Sequence, residues 1–331
     1  MPFFMTTTGR KVAAALAGIG GLTTFVASWL PQTIYLDKLK NIVQCYEHGL
    51  PLRLNEELTA RTQSVLKDFT SLSEAKKASI RFFLVNRIEP FYAGTPESGY
   101  GAIIGLPFNF RYKSVHDIKE ADVRLPGEQS IDWTTGAARL FKEHLILSDE
   151  AQRFAIAQQI YLANTSHVTV NSIAATGATV NVYVLSKILN SRIERKVPFS
   201  ARCVVYGLVC CFCFMGYLAI TDMARYKHEW DSLAYVMKLG PMYRQGAVDY
   251  FERALVCNKA LRILGGKTTQ KMFTVKGNLN TWIRTPHVPM TVCMERVKRI
   301  KKEMEGTCEV CEEISGAKVA KADPVADTGK V

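Results

Sequence analysis

The sequence lacks the motifs by which most enzymes and metalloproteins are recognised. Its six histidines are scattered, with no pair spaced by four residues, and neither a Walker loop nor a G-x-S-x-G elbow is present. The glycines at 99, 101 and 105 have the spacing G-x-G-x-x-x-G, and Pro107 stands where the phosphate-binding helix of a dinucleotide fold would begin. We therefore expect a strand with closely packed backbone at this point, no cofactor and no enzymatic activity.

Acidic charge is scarce at the beginning of the chain, where no Asp or Glu precedes Asp37. The full chain of 331 residues contains 42 Lys and Arg and 30 Asp and Glu. Only 22% of its residues are charged and 48% are hydrophobic, a composition that excludes a largely disordered chain.

The densest basic cluster, ERVKRIKKE at residues 295–303, also contains glutamates, which reduce its net positive charge. We expect it to be a solvated helix face or to lie against anionic lipid headgroups, rather than to bind nucleic acid.

Three stretches of the chain carry no charge at all: residues 12–30, 168–185 and 203–221. At about 1.5 Å per residue, each would extend about 28 Å, close to the ~30 Å hydrocarbon core of a lipid bilayer. We predict that these stretches are three transmembrane helices. The second could instead be a buried helix of a soluble domain, because Asn171 and Asn181 would each need a partner inside the bilayer.

One face of the second stretch is made of small and amide side chains. At about 100° per residue, Asn171 and Asn181 are separated by about 80° around a helix, and Ala174, Gly177 and Ala178 come between them along the chain. Small residues let two helices approach closely, and amides hydrogen-bond across the contact. We predict that these five residues form a helix contact, either with another span of this chain or with a client helix.

Basic residues around the spans predict the topology. Arg10 and Lys11 precede the first span, and the loop at residues 186–202 has five basic residues against Glu194. Because short basic loops stay on the inner side, both are placed on one side of the membrane. Residues 31–166 and 222–331 then share the other side, where they are free to pack on one another.

The opening sequence MPFFMTTTGRK is typical of mitochondrial presequences and of signal anchors. The first span is rich in Gly, Ala and Thr, which favours the mitochondrial inner membrane, with the N-terminus in the matrix and the C-terminus in the intermembrane space. Its apolar run is longer than that of a cleaved signal peptide. A secretory-pathway membrane protein is the alternative, and it would carry a glycan on Asn164 of the N-T-S sequon.

The first soluble segment has signals for both helices and strands. Asn55 and Ser148 each precede acidic residues and an apolar stripe, which predicts helices capped at these two residues. Strands are predicted where short apolar or β-branched runs occur, at RFFLV (81–85), GAIIGLP (101–107), RYKSVHDI (111–118) and SIDW (130–133).

The segment after the third span is predicted to be mainly helical. Residues 247–264 have helical periodicity that stops at two glycines, and Gly277-Asn278 marks the turn of a short hairpin. The fold class is therefore an α+β membrane protein with about three transmembrane helices, an α+β soluble lobe between the first two and a mainly helical C-terminal lobe. Its parts are an N-terminal matrix segment (1–11), the first helix (12–30), the α+β lobe (31–166), the second helix (168–185), the basic loop (186–202), the third helix (203–221), the C-terminal lobe (222–316) and a disordered tail (317–331).

Two cysteines near the end of the chain, Cys308 and Cys311, form a single C-x-x-C motif. Neither a second pair nor a nearby histidine accompanies it, so a closed four-ligand zinc site cannot be assembled locally. These two residues are the candidates for a metal or redox site, and the alternative function that follows from them is a membrane-bound redox or copper carrier. The cysteines of the third span are expected to pack as small hydrophobic side chains.

Several segments of the chain match one known family in the same order. They are GAIIGLP at 101–107, IDWTTGAARLFKEHLILSDEAQRFAIAQQIYL at 131–162, VDYFERAL, NKALRILGGK, the Gly277-Asn278 turn and HVPMT at 287–291. Together they resemble the transmembrane protein 177 family. The resemblance covers most of the chain but does not extend to the C-x-x-C motif or the tail.

The resemblance implies a mitochondrial inner-membrane protein that is not an enzyme. Members of this family are associated with the biogenesis of cytochrome c oxidase. There they accompany newly made subunit II and its dedicated membrane chaperone, and they help to stabilise that assembly module. The family has no established catalytic or ligand residues, so none is carried over to this chain.

Overall fold

Helices form most of this chain, and a few short strands accompany them. The computed structural model describes residues 6–118, 120, 132–193, 196–281 and 284–319, with side chains described as far as residue 306. The helices are α1 (Thr7–Trp29), α2 (Leu36–Val43), α3 (Glu56–Asp68), α4 (Glu74–Ala78), α5 (Gly136–Leu145), α6 (Asp149–Ala163), α7 (His167–Ile193), α8 (Phe199–Lys238), α9 (Pro241–Leu264), α10 (Gly266–Met272) and α11 (Met290–Val319). The strands are β1 (Tyr46–Glu47), β2 (Leu50–Pro51), β3 (Ile80–Val85), β4 (Phe91–Thr95) and β5 (Gly101–Pro107).

Among the described residues, three helices are long and apolar enough to cross a membrane, in agreement with the three predicted spans. The helical stretches are Thr7–Gln32, His167–Ile193 and Phe199–Lys238. The second is one continuous helix of 27 residues, of which little is buried within the protein. The alternative in which it is a buried helix of a soluble domain is therefore wrong, and the fold class is the predicted one.

The third membrane helix does not end where its apolar stretch ends. The prediction placed the span at residues 203–221, but α8 continues without a break to Lys238 and has 40 residues. Such a helix is about 60 Å long, roughly twice the hydrocarbon thickness. Its second half, with Leu233, Val236 and Met237 fully buried, belongs to the core of the soluble domain. One continuous helix thus joins the membrane-spanning part of the chain to the soluble domain.

Both predicted helix caps are confirmed. The Asn55 side chain accepts a hydrogen bond from the Leu58 amide at 3.0 Å, and the Ser148 hydroxyl accepts one from the Ala151 amide at 3.1 Å. Each bond satisfies an amide that has no partner inside its helix, which is how these residue types initiate helices.

A three-stranded sheet lies at the centre of the first segment, with β5 between β3 and β4. Strand β5 is parallel to β3 and antiparallel to β4, and all seven of its residues are buried. The glycine run therefore forms a strand, as predicted. At Gly105, an added Cβ would lie 2.5 Å from a methyl carbon of Val85, so only glycine allows this approach.

Two strand predictions and the hairpin prediction need correction. Residues 111–118 form short 3₁₀ turns, because the Asp117 carboxylate accepts hydrogen bonds from the amides of Lys113 and Ser114, both at 2.8 Å. In SIDW, Asp132 likewise accepts from the Thr134 amide at 3.0 Å and begins a turn, while residues 130–131 lie outside the described residues. The predicted hairpin is reduced to one bridge, between residues 273 and 279.

The two soluble segments pack into one hydrophobic core. It contains Leu58 and Val65 of α3, Phe154 of α6, Leu233 of α8 and Val297 of α11. Helices α6 and α9 meet closely at Gly246, where an added Cβ would overlap the carbonyl oxygen of Glu150. The parts predicted as an α+β lobe and a helical lobe are therefore two halves of a single domain.

Candidate functional site

Helices α1 and α7 pack through small residues on both sides. The hydroxyl of Thr179 donates a hydrogen bond to the hydroxyl of Thr24 at 3.2 Å, across the two helices. At Gly21, an added Cβ would lie 2.9 Å from a methyl carbon of Val180, so a larger residue would push the helices apart. This is the close contact that small residues permit between membrane helices.

The five residues predicted as a helix contact point in nearly the opposite direction from this α1 contact, at about 100° per residue. Ala174 is buried, Asn171, Gly177 and Ala178 are half-buried, and Asn181 is exposed. An added Cβ at Gly177 would have no described atom within 4 Å. The structure thus leaves open space at Gly177, although Ala174 on the same face is buried, and the predicted contact stays a prediction.

Helices α7 and α8 form a hairpin across the membrane. The side-chain oxygen of Asn190 accepts hydrogen bonds from Arg202 at 3.1 Å and from the Tyr206 hydroxyl at 2.6 Å. These bonds lie at the end of the hairpin that carries the basic loop, whose residues 194–195 are outside the described part. They tie the two helices together near the loop that connects them.

At the opposite end of the spans, α1 is tied to the sheet. The Gln32 side chain accepts a hydrogen bond from the Gly94 amide in β4 at 2.9 Å. The Trp29 ring meets the Tyr100 ring edge-on, with 5.9 Å between the centroids. The first membrane helix is therefore held in a fixed position against the soluble domain.

Helix α8 holds the HVPMT segment and the residues just before it through two acidic residues on one helix face. Asp222 forms two hydrogen bonds with the Arg284 guanidinium, at 2.5 and 2.6 Å. Two turns later, Glu229 accepts a hydrogen bond from the Val288 amide at 2.8 Å and pairs with His287. These contacts fix the segment that leads into α11 to the second half of helix α8.

The buried cysteines of the soluble domain are packing residues. Burial raises the pKa of the Cys257 thiol and of the Cys293 thiol to about 12, so neither forms the thiolate that binds metals or attacks disulfides. In the part of the chain that the structure describes, no group of three His, Cys, Asp or Glu residues could hold a metal ion. The side chains of Cys308 and Cys311 lie outside the described ones, although α11 runs through both positions.

Sequence reasoning missed both the α1 contact and the acidic pair on α8. Gly20-Gly21 and the threonines on both helices were visible as small residues, but several faces of each helix carry such residues. Asp222 and Glu229 are seven residues apart and so share one helix face. Their partners lie about 60 residues away along the chain, and no local spacing predicts such a pairing.

These features define a multi-pass membrane protein in which three candidate membrane-spanning helices carry one α+β domain. The family model for transmembrane protein 177 matches residues 46–313. The chain belongs to this family.

Relatives with the name transmembrane protein 177 match most of the chain. The protein from Xenopus laevis is 25% identical over 306 residues, which cover 89% of this chain and 96% of that protein. The Danio rerio protein is 28% identical over 72% of this chain and 77% of its own length, and the Homo sapiens protein is 25% identical over 80% and 84%. No solved structure matches the chain significantly.

Proposed function

We propose that this chain is a non-enzymatic assembly factor of the mitochondrial inner membrane. It stabilises newly made cytochrome c oxidase subunit II and the dedicated membrane chaperone of that subunit during biogenesis of the oxidase. Membership of the transmembrane protein 177 family supports the proposal, because the resemblance implies this role. The N-terminus lies in the matrix and the soluble domain in the intermembrane space.

The observation that supports the binding of a client helix is the open space at Gly177 of α7. Gly177 has free space where a side chain would be, and Asn181 exposes an amide inside a predicted membrane span. An amide exposed to lipid costs free energy, whereas a contact with another helix would give it a hydrogen bond worth ~0.6 to 2 kcal/mol. A client helix is the partner that satisfies both residues.

The test is replacement of Gly177 and Ala178 together with leucine. The added side chains fill the space that a client helix would occupy, so the recovery of subunit II with the purified protein should fall severalfold. Gly216→Leu is the matched control, because Gly216 is another open glycine but lies on α8. Normal recovery at normal abundance of the double variant would rule out this face, and the soluble domain would then have to carry the binding.

A further inference from the structure

A cleft of about 380 Å³ opens in the soluble domain close to the membrane, a volume typical of ligand sites. Part of its lining is apolar, with Leu162, Phe251 and Val288 among the wall residues. Tyr92 also lines it and meets the ring of His167, the first residue of α7, with 5.0 Å between the centroids. The cleft therefore lies beside the point where α7 enters the membrane.

The charged side chains that line the cleft are mainly acidic. Among the described lining residues are Glu89, Glu229 and His287, but no Lys or Arg, in a chain with 42 Lys and Arg against 30 Asp and Glu. Glu229 is already engaged by His287 and by the Val288 amide. Glu89 is exposed, and no ion pair involves it among the described residues. The cleft therefore has a carboxylate available for a cation.

The wall contributed by α6 contains a buried amide oxygen without a hydrogen-bond partner among the described residues. Gln159 is only 7% exposed, and its Oε1 atom has no hydrogen-bond partner among the described residues. Other glutamines of the same helix are paired: Gln152 accepts from Arg61 at 2.6 Å, and Gln158 donates to Ser232 at 3.2 Å. An unpaired buried acceptor lowers stability, and a donor group on a ligand would remove that penalty.

We infer that the cleft binds a Lys or Arg side chain of a polypeptide segment that emerges from the membrane next to α7. The aliphatic stem of such a side chain packs on the apolar wall, and its charged head donates hydrogen bonds to Gln159 Oε1 and to the Glu89 carboxylate. This occupant fits the cleft because it combines an apolar body, a positive charge and several donors. The inference rests on the proposed function only in assigning the segment to a membrane-anchored client.

The test uses the full-length protein in a nonionic detergent and two peptides, acetyl-Ala-Leu-Arg-Leu-Ala-amide and the same peptide with glutamine in place of arginine. Titration calorimetry should show binding of the arginine peptide about tenfold tighter than of the glutamine peptide. Glu89→Gln and Gln159→Leu should each weaken binding of the arginine peptide by about fivefold or more. Glu252→Gln should not change it, because Glu252 is an exposed residue of α9 outside the cleft lining.

Thermal unfolding provides the second readout. Gln159→Leu removes an unpaired buried acceptor, so it should leave the melting temperature unchanged or raise it while peptide binding falls. Equal affinity for the two peptides, absence of binding, or full affinity in both cleft variants would overturn the inference. A lower melting temperature of Gln159→Leu would also overturn it, because the amide would then have a structural partner. No client protein is present in this assay, so its outcome is independent of whether subunit II is the client.

Discussion

The contact between α1 and α7 can be tested with a single substitution, Gly21→Leu. An added Cβ at this position lies 2.9 Å from a methyl carbon of Val180, and the helices must separate to admit a leucine. Overpacking of this kind costs about 1 to 3 kcal/mol, and loss of the hydrogen bond between Thr179 and Thr24 costs ~0.6 to 2 kcal/mol. We therefore expect a destabilisation of about 2 to 4 kcal/mol, or roughly 30- to 700-fold in the ratio of folded to unfolded protein.

The matched control is Gly18→Leu on the same helix, where an added Cβ has no described atom within 4 Å. Both substitutions gain the same ~1 kcal/mol of helix propensity, so the difference between the variants isolates the contact. The free energy of unfolding can be measured by SDS titration in mixed micelles, followed by tryptophan fluorescence, since Trp29 loses its contact with Tyr100 when α1 is released. Equal stability of the two variants would refute the proposed packing of α1 on α7.

Three further predictions concern topology, the cysteine pair and the soluble core. In mitochondria with ruptured outer but intact inner membranes, added protease should remove a C-terminal tag, and a fully protected tag would contradict the three-span topology. Serine at both Cys308 and Cys311 should leave oxidase assembly intact, because the motif lacks the further ligands that a metal needs. Loss of assembly at an unchanged protein level would favour the redox-carrier alternative. Gly246→Ala should lower the free energy of unfolding by about 2 kcal/mol, because its Cβ would overlap the Glu150 carbonyl, whereas Glu252→Ala on the exposed side of α9 should change it by ~0.5 kcal/mol or less. Similar effects of these two substitutions would argue against the close packing of α6 and α9.

The features predictable from the sequence are those governed by local chemistry. The three membrane helices follow from length and the absence of charge, and the caps at Asn55 and Ser148 follow from side chains that bond amides three residues later. Strand β5 follows from an apolar run bounded by Gly101 and Pro107. In each case the deciding interaction lies within a few residues of the signal.

The features that escaped prediction depend on residues far apart in the chain. A change in hydropathy marks the edge of a membrane but not the end of a helix, so α8 continues to Lys238, well past the predicted end of the span at residue 221. The shared core depends on Gly246 meeting the backbone of Glu150, which no spacing indicates. The cleft at Gln159 is likewise assembled from one strand, four helices and two loops.

The sequence did identify an unusual face of α7 but could not assign its partner. Helical periodicity places Asn171, Gly177 and Asn181 on one side of the helix. Which neighbour lies on that side depends on how α1 and α8 pack, and α1 takes the opposite side, at Thr179. The open space at Gly177 is therefore a result of tertiary packing and can be found only in the structure.

The proposed role is tested most directly by the lifetime of newly made cytochrome c oxidase subunit II. Mitochondrial translation products are pulse-labelled in cells with and without this protein, and the decay of each product is then followed. We expect labelled subunit II to decay severalfold faster when the protein is absent, while the other products keep their lifetimes, and re-expression of the wild-type chain should restore stability. An unchanged lifetime of subunit II would contradict the proposed function.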